Sequence, residues 1–338
     1  MKLSKRVKNR LFAEFNQFKV FRYQVPVQPE CNCLTKHIPL SATLNQDIVV
    51  IYSKGTVDIA SVQMRLLQVA KFILYLNPDI KIMALSQRPS NIIGLKNKTV
   101  ILSKFATALI SKEELATLIN NGNTIYVDPV DTNLNIQKFS SDCILVASSL
   151  EQIKYFKNST KIPAKLIYHS SDLRLKNLKV QKSEFKIGYF GNLSRIPKDY
   201  GELKKLSIIK TPLSYEPKRV LPRYASELIK YSAHLVTGTN STKNVFKPFT
   251  KGIVAAHIGA LALISQNDVE GISLLGRNYP YIAKNNNLNS ILEMINYMQK
   301  NFLSNEWIFA EELNRNLEPY FCEVNITNMW QHLFSSPL

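Results

Sequence analysis

Two lysines spaced four residues apart are the strongest chemical signal in the chain. Lys247 and Lys251 lie in the run 244–265, NVFKPFTKGIVAAHIGALALIS. If a helix starts near Lys247, with Pro248 at a position that proline tolerates, both ammonium groups lie on one helix face. The free N–H groups of the helix start and the Thr250 hydroxyl then point at the same spot, which suits a diphosphate. The alternative is an ordinary basic helix start that faces solvent.

Four side chains are candidates for accepting a proton in a reaction. Asp58 is the first choice, because it follows the loop at the carboxyl end of the first predicted strand. It could instead cap the helix expected at Ala60. Asp128 and Asp131, in YVDPVD, follow a later strand and could equally be turn formers around the proline between them. His169 is a weaker candidate with a structural role as its alternative.

Signatures of several other enzyme classes are absent from the sequence. There is no G-x-x-x-x-G-K-S/T phosphate loop, no G-x-G-x-x-G turn and no G-x-S-x-G elbow. These absences argue against a kinase-like NTPase, a nicotinamide dehydrogenase and an α/β-hydrolase. The five histidines are scattered and form no metal-ligand cluster, so neither a metal nor a cofactor is expected.

The positive charge of the chain is concentrated in its middle. The formal net charge is +18 over 338 residues, and residues 151–251 carry 21 Lys/Arg against 7 Asp/Glu. Residues 252–338 carry 4 against 8, so the last part of the chain is acidic. The partners that fit such a distribution are nucleic acid, anionic lipid or a phosphorylated substrate.

Short apolar strands alternate with amphipathic helices over most of the chain. This alternation predicts parallel sheets covered on both faces, and it occurs twice, on either side of a polar, basic linker near residue 180. We therefore predict an α/β fold with two Rossmann-like doubly wound domains facing a cleft, over 47–180 and 181–303, followed by a helical tail over 304–338. The predicted strands are 47–53, 80–85, 99–102, 124–127, 143–147, 165–168, 185–190, 207–209, 234–237 and 261–265. The predicted helices are 61–76, 112–120, 150–157, 223–231, 245–258 and 290–301.

The N-terminus, 1–46, is predicted as a basic amphipathic helix over 1–22 and an irregular connector. The helix either packs on the body with a solvated basic face or is attracted to an anionic membrane surface. No run of about 18 apolar residues predicts a membrane span, and no secretory signal is recognisable. With four cysteines that form no disulfide pattern, a cytoplasmic setting fits best.

Several segments, taken in order, resemble the GT-B glycosyltransferases. The lysine helix followed by A-x-x-G-A resembles their donor-binding segment, where the nucleotide-sugar diphosphate meets a helix start. The run 187–192, IGYFGN, resembles the first strand and loop of their C-terminal lobe, which implies a place beside the donor phosphates for Asn192, Arg195 and Lys198. The runs 164–174 and 61–73 resemble the approach to the interdomain linker and the first helix beside the acceptor cleft. The resemblance covers roughly residues 47–300.

One departure from the family pattern is informative. Many retaining GT-B enzymes carry two glutamates that grip the donor sugar and its ribose, and the matching positions here are near Phe246 and Val254. Neither is acidic, which favours an inverting reaction. Glu270 could still reach a ribose or sugar hydroxyl, or it could be a surface residue.

The resemblance implies an enzyme of the bacterial cell-envelope polysaccharide or lipopolysaccharide type. It would be a metal-independent transferase that takes a sugar from a nucleotide-sugar donor. The acceptor would be a glycan or a lipid-linked molecule, so the enzyme would work in the cytoplasm or on the inner face of the cell membrane. No nucleic acid partner is expected on this interpretation. The alternative is a non-catalytic nucleic-acid-binding protein that uses the basic segment 151–251, although its aromatic residues are not arranged as a stacking platform.

Overall fold

The structure is a computed structural model that describes residues 47–76, 81–132, 134–192, 196–211, 215–216, 219–236 and 246–335. The predicted basic helix and connector over 1–46 lie outside the described residues. No helix among the described residues combines the length and the apolar character needed to cross a membrane.

The first lobe is built on a sheet of six parallel strands. In chain order they are β1 Ile48–Tyr52, β2 Ile82–Ser86, β3 Thr99–Leu102, β4 Thr124–Val127, β5 Cys143–Ala147 and β6 Ala164–Leu166. Their order in the sheet is β2-β1-β3-β4-β5-β6. Every residue of β1, β3 and β5 is buried, because helices cover both faces, and this burial is why the strands read as unbroken apolar runs.

Five helices flank this sheet. The first, α1, is α-helical over Ala60–Val62, passes through a π-helical turn at Gln63–Leu67 and is α-helical again over Gln68–Leu76. The others are α2 Pro89–Ile93, α3 Lys104–Leu109, α4 Lys112–Asn120 and α5 Leu150–Ser159, of which α2 and α3 were not predicted. A capping box between Ser111 and Glu114 starts α4 at the residue expected from sequence.

The second lobe is built on five parallel strands. They are β7 Ile187–Gly191, β8 Leu206–Lys210, β9 Ala233–Leu235, β10 Leu261–Ser265 and β11 Ile282–Ala283, in the order β11-β10-β9-β7-β8. The helices are α6 Ala225–Leu228, α7 Thr250–Ile258, α8 Val269–Leu275, α9 Leu288–Lys300, α10 Asn305–Arg315, α11 Glu318–Phe321 and α12 Glu323–Ser335.

Both sheets reverse their direction of growth beside their first strand, between β1 and β3 and between β7 and β9. Such a reversal leaves a crevice beyond the carboxyl ends of the strands, which is where ligands bind to doubly wound sheets. The predicted fold class, two Rossmann-like sheets, is confirmed.

The C-terminal helices divide between the two lobes. Trp307 of α10 is buried in the core of the second lobe. Ile326, Trp330 and Leu333 of α12 are buried in the core that covers α1 of the first lobe. The chain therefore returns to its first lobe at its end, and the segment predicted as a helical tail contributes to both cores.

Candidate active site

A cavity of about 210 Å³ opens between the lobes at the carboxyl ends of β7, β8 and β9. The second lobe contributes most of its wall, and α1 contributes Ala60 and Met64. The crossover, the segment 167–186 that joins the two lobes, contributes Asp172 and Arg174. The cavity therefore lies at the switch point of the second sheet, where a doubly wound fold is expected to bind its ligand.

Lys251 brings a positive charge to this cavity. Its ammonium nitrogen lies 3.7 Å from the centroid of the Tyr189 ring. It also lies against the end of β7, since a Cβ built at Gly191 would be 3.1 Å from Nζ. A glycine at 191 thus leaves room for the ammonium group beside the backbone. Lysine, backbone and the start of α7 converge here, an arrangement suited to phosphate oxygens.

The prediction that the lysine helix starts near Lys247 is wrong, because α7 begins at Thr250 with Phe249 as its N-cap residue. The Phe249 ring packs so closely on Gly252 that a Cβ there would lie 2.0 Å from it. The close packing of the Phe249 ring on Gly252 keeps the backbone of Phe249 outside the helix, at φ −72° and ψ 36°. Thr250, the first residue of α7, lines the cavity.

Lys247 is held near the cleft by contacts to the first lobe instead of by α7. The carbonyl of the preceding Phe246 accepts a hydrogen bond from Ser149 Oγ at 3.0 Å, and its ring packs on Tyr155 with centroids 4.9 Å apart. The Lys247 ammonium group lies within electrostatic range of Asp131 in the first lobe. Both lysines are therefore at the cleft, although they do not share a helix face.

Asp131 and His169 lie together at the carboxyl edge of the first sheet. Asp131 forms an ion pair with Lys104. Burial tends to raise the pKa of Asp131, but Lys104, Lys247 and His169 together hold it below its ordinary value. Burial lowers the pKa of His169 to about 4, so the ring is neutral at neutral pH. His169 Nδ1 lies 2.7 Å from the Ser170 carbonyl and must donate, which makes Nε2 the acceptor.

Asp128 takes part in a buried ion pair. Its Oδ2 accepts a hydrogen bond from Arg65 Nε at 2.9 Å, and both side chains are excluded from solvent. Arg65 also donates to the carbonyls of Ala147 and Ile167. Asp128 thus joins α1 to the carboxyl ends of β4 and β5, and this contact indicates a positioning role.

Asp58 lies at the cleft with an exposed side chain. It does not cap α1, because Ile59 is the N-cap residue and no side chain caps that helix. Its carbonyl accepts a hydrogen bond from the Tyr215 amide at 2.7 Å, a contact between the lobes. Since Tyr215 lines the cavity, the backbone of Asp58 lies beside that part of the wall.

Arg174 lies on the cavity wall and holds Tyr215 in place. Its guanidinium carbon lies 3.9 Å from the Tyr215 ring centroid. Its Nη2 donates to Asp172 Oδ2 at 2.6 Å and to the Tyr215 carbonyl at 2.8 Å. The Tyr215 hydroxyl reaches back to Gln68 Oε1 at 3.2 Å. These contacts tie the segment after β8 to the crossover and to α1.

Glu270 contacts the first lobe directly. Both of its carboxylate oxygens accept from the Leu150 amide, at 2.9 and 3.1 Å, at the start of α5. Only 4% of the residue is exposed. Burial raises its pKa to about 7, although the backbone amides oppose this shift. Glu270 is therefore a buried contact between the lobes.

The three residues predicted beside the donor phosphates are only partly described. Asn192 follows β7, and its carbonyl accepts from the Tyr189 hydroxyl at 3.1 Å. Lys198 begins a short 3₁₀ helix, Lys198–Glu202, and nothing is described of its side chain. Arg195 lies outside the described residues.

Four residues of the site were missed by the sequence analysis: Asp172, Arg174, Tyr215 and His234. The sequence assigned Asp172 and Arg174 to a linker, and nothing near Tyr215 or His234 indicates a ligand. The one feature of the sequence that could have indicated them is their position, either near the end of a predicted strand or in the crossover. Among the described residues, no group of three or more His, Cys, Asp or Glu is placed to hold a metal ion.

The sequence matches no protein-family profile and none of the curated proteins. Solved structures resemble its fold. A glycosyltransferase from Rickettsia africae is 10% identical with a TM-score of 0.60, over 86% of this chain and 98% of that one. Sucrose-phosphate synthase from Thermosynechococcus elongatus is 10% identical with a TM-score of 0.59, over the same 86% and 98%. Anabaena HepE in complex with UDP and glucose is 12% identical with a TM-score of 0.56, over 86% of this chain and 100% of that one.

These matches span both lobes, and both lobes are parallel, doubly wound sheets that face one cleft. The chain has the GT-B fold.

Proposed function

We propose that this chain is a glycosyltransferase that moves a sugar from a nucleoside diphosphate donor to an acceptor bound by the first lobe. The observation that carries the proposal is the position of Lys251. It lies at the switch point of the second sheet, against Gly191 and the start of α7, on the wall of a cavity between the lobes. A structure of the same fold, Anabaena HepE, holds UDP and glucose.

The donor would lie across the carboxyl end of the second sheet. Its nucleoside would fill the cavity beyond Lys251, and its diphosphate would lie between Lys251 and Lys247. Both lysines are within electrostatic range of Asp268, which supports their closeness to each other. The sugar would then point toward Asp131 and His169, since Lys247 also lies within electrostatic range of Asp131.

The proposed reaction is a direct, inverting displacement. The acceptor hydroxyl loses its proton as it attacks the sugar carbon, and the bond from that carbon to the diphosphate breaks. Asp131 is the proposed base, with His169 as the alternative, because Asp131 lies within electrostatic range of Lys247 and of His169, whereas the contact made by Asp58 is that of its backbone carbonyl with Tyr215. Lys247 and Lys251 would stabilise the departing diphosphate without a metal ion.

The proposed acceptor is a glycan or a lipid-linked glycan at the inner face of a bacterial membrane. This part of the proposal is supported by charge alone. The chain carries +18, and residues 1–22 combine an apolar stripe with seven Lys/Arg.

Nucleotide binding tests the proposal directly. UDP, GDP and CMP are compared for their effect on the melting temperature, and nucleotide-sugars are screened for release of free nucleotide. One nucleotide should stabilise the protein, and Lys251→Ala should weaken its binding about tenfold or more, because a hydrogen bond between charged groups is lost. Lys300→Ala, an exposed lysine at the end of α9, is the matched control.

Two outcomes contradict the proposal. One is the absence of any nucleotide response that depends on Lys251. The other is salt-sensitive binding to any DNA duplex without a nucleotide response, which would support the nucleic-acid-binding alternative.

A further inference from the structure

His234 lies on the cavity wall, and one nitrogen of its ring has no hydrogen-bond partner among the described residues. It is the middle residue of β9, forms part of the cavity wall, and is only 3% exposed. One ring nitrogen is bonded to the Leu228 backbone carbonyl. The other, Nε2, is shielded from solvent and has no hydrogen-bond partner among the residues that the structure describes.

The protonation state of His234 follows from its surroundings. Burial lowers the pKa of the ring to about 4, so the ring is neutral at neutral pH. A backbone carbonyl can only accept, so Nδ1 carries the proton and donates it to Leu228. Nε2 therefore carries a lone pair and can only accept. It requires an N–H or O–H donor.

Buried acceptors without a partner are rare in folded proteins, because the folded chain loses a hydrogen bond that water would make. The hydrogen bond to Leu228 accounts for one nitrogen of the ring and leaves Nε2 unexplained. The ring lies beside the Phe190 ring, with centroids 4.7 Å apart, and the same part of the cavity wall includes Leu228 and Val254. A ligand with an N–H or O–H group would supply the donor that Nε2 lacks among the described residues.

The cavity limits what that ligand can be. Its volume of about 210 Å³ is below the roughly 300–1,000 Å³ of pockets that hold drug-sized ligands, so it suits a single ring. Lys251 and Val254 are three residues apart on α7 and both line the cavity. A ligand whose phosphates meet Lys251 would therefore place its ring one helical turn further along, at Val254 and His234.

We propose that His234 Nε2 accepts a hydrogen bond from the ring N–H of the donor's nucleobase and so selects uracil. This inference rests on the proposed function, because it assigns the base of the nucleotide donor. Uracil is a single ring whose N3–H lies between two carbonyls. Cytosine carries a bare nitrogen at that position, which would face the His234 lone pair. Guanine has a ring N–H but needs room for two rings.

The test compares UDP, CDP and UDP methylated at N3 of uracil, by titration calorimetry on the full chain. UDP should bind about tenfold more tightly than either of the other two, the effect expected for one hydrogen bond to a buried acceptor. His234→Phe keeps a ring beside Phe190 but removes the acceptor, and should reduce UDP affinity about tenfold and bring UDP and CDP close together. His234→Gln can place an amide oxygen in the cavity and should recover part of the preference for UDP.

Equal binding of UDP and N3-methylated UDP by the unaltered protein overturns the inference, even if no His234 variant folds. In that case binding that still depends on Lys251 leaves the proposed function standing. If neither these nucleotides nor GDP binds in a way that depends on Lys251, the proposed function itself fails.

Discussion

At the scale of single residues, the site separates the groups that bind from the groups that could react. Lys251 and His234 lie on the wall of the cavity, and the carboxylate on that wall, Asp172, is already paired with Arg174. Asp131 and His169 lie beyond Lys247, on the edge of the first sheet. A donor that reaches from the cavity wall to Lys247 would bring its sugar to the first lobe while its base stays in the second.

Asp131 should be required for turnover but not for donor binding. Asp131→Asn removes the proposed base and should lower kcat at least about 100-fold, with little change in UDP affinity. Asp58→Asn is the control and should keep near-normal turnover. Because Lys104, Lys247 and His169 hold the pKa of Asp131 below its ordinary value against the effect of burial, kcat/KM should show no acidic decline from this group near neutral pH. Loss of turnover in Asp58→Asn but not in Asp131→Asn would reverse the assignment.

Glu270 should make stability depend on pH. Its pKa rises from 4.5 in the unfolded chain to about 7 in the folded protein. The folded state therefore binds the proton more tightly, so this stabilising contribution is complete below pH 4.5 and is lost as pH rises to about 7. Glu270→Gln keeps an acceptor for the Leu150 amide without a buried charge.

Melting temperatures of Glu270→Gln and the unaltered protein should thus be similar at pH 4.5. The variant should gain relative stability up to about pH 7, and the difference should then stay constant. A difference that does not change with pH would show that the carboxyl keeps its ordinary pKa.

At the scale of elements, the start of α7 is set by one aromatic ring. The Phe249 ring lies between two glycines. A Cβ would approach it to 2.0 Å at Gly252 and to 2.7 Å at Gly271. The ring therefore fixes α7 against the start of α8, whose own first turn is capped by Asp268 accepting from the Gly271 amide at 2.9 Å. Both helix starts face the cleft as one unit.

Gly252→Ala should destabilise the protein although alanine favours helices. The alanine Cβ would displace the Phe249 ring, and such overpacking typically costs about 1–3 kcal/mol. Gly201→Ala is the control, because no atom lies within 4 Å of a Cβ built there. Urea unfolding should separate the two variants, and weaker UDP binding by Gly252→Ala should accompany the loss. Equal midpoints would show that the ring can move without cost.

At the scale of the whole molecule, two sets of contacts join the lobes. In one, Glu270 and Phe246 meet the start of α5. In the other, the Tyr215 amide meets the Asp58 carbonyl, and Arg174 holds the same segment. The return of α12 to the first lobe adds a further connection. The relative position of the lobes is therefore set by named contacts as well as by the crossover.

The charge of the whole chain should direct it to anionic membranes. Residues 1–22 carry seven Lys/Arg, each worth about 1 kcal/mol near an anionic surface. Deleting them should reduce sedimentation with vesicles containing anionic phospholipid at least about tenfold, while binding to neutral vesicles should hardly change. Unchanged association of the shortened chain with anionic vesicles would remove the membrane from the proposal.

The sequence by itself located all the described strands except β11, Ile282–Ala283, which was not predicted. β3, β4, β5 and β10 begin and end at the predicted residues. Parallel strands buried on both faces must be apolar along their whole length, so a short apolar run is enough to locate them in the sequence. The alternation of strands and helices then predicts two doubly wound sheets, and the carboxyl ends of their strands predict where candidates such as Asp131 and Lys251 should lie.

Only the tertiary structure decided which candidates meet. The start of α7 depends on a ring held by Gly271, which lies 22 residues beyond Phe249. Asp128 is paired with Arg65 from another element, and Glu270 with an amide of the other lobe. From its sequence alone His234 is an ordinary strand residue, and only the structure shows that it lines a cavity and that Nε2 has no partner among the described residues. Such contacts join residues far apart in the chain, so their energies depend on packing that no local pattern records.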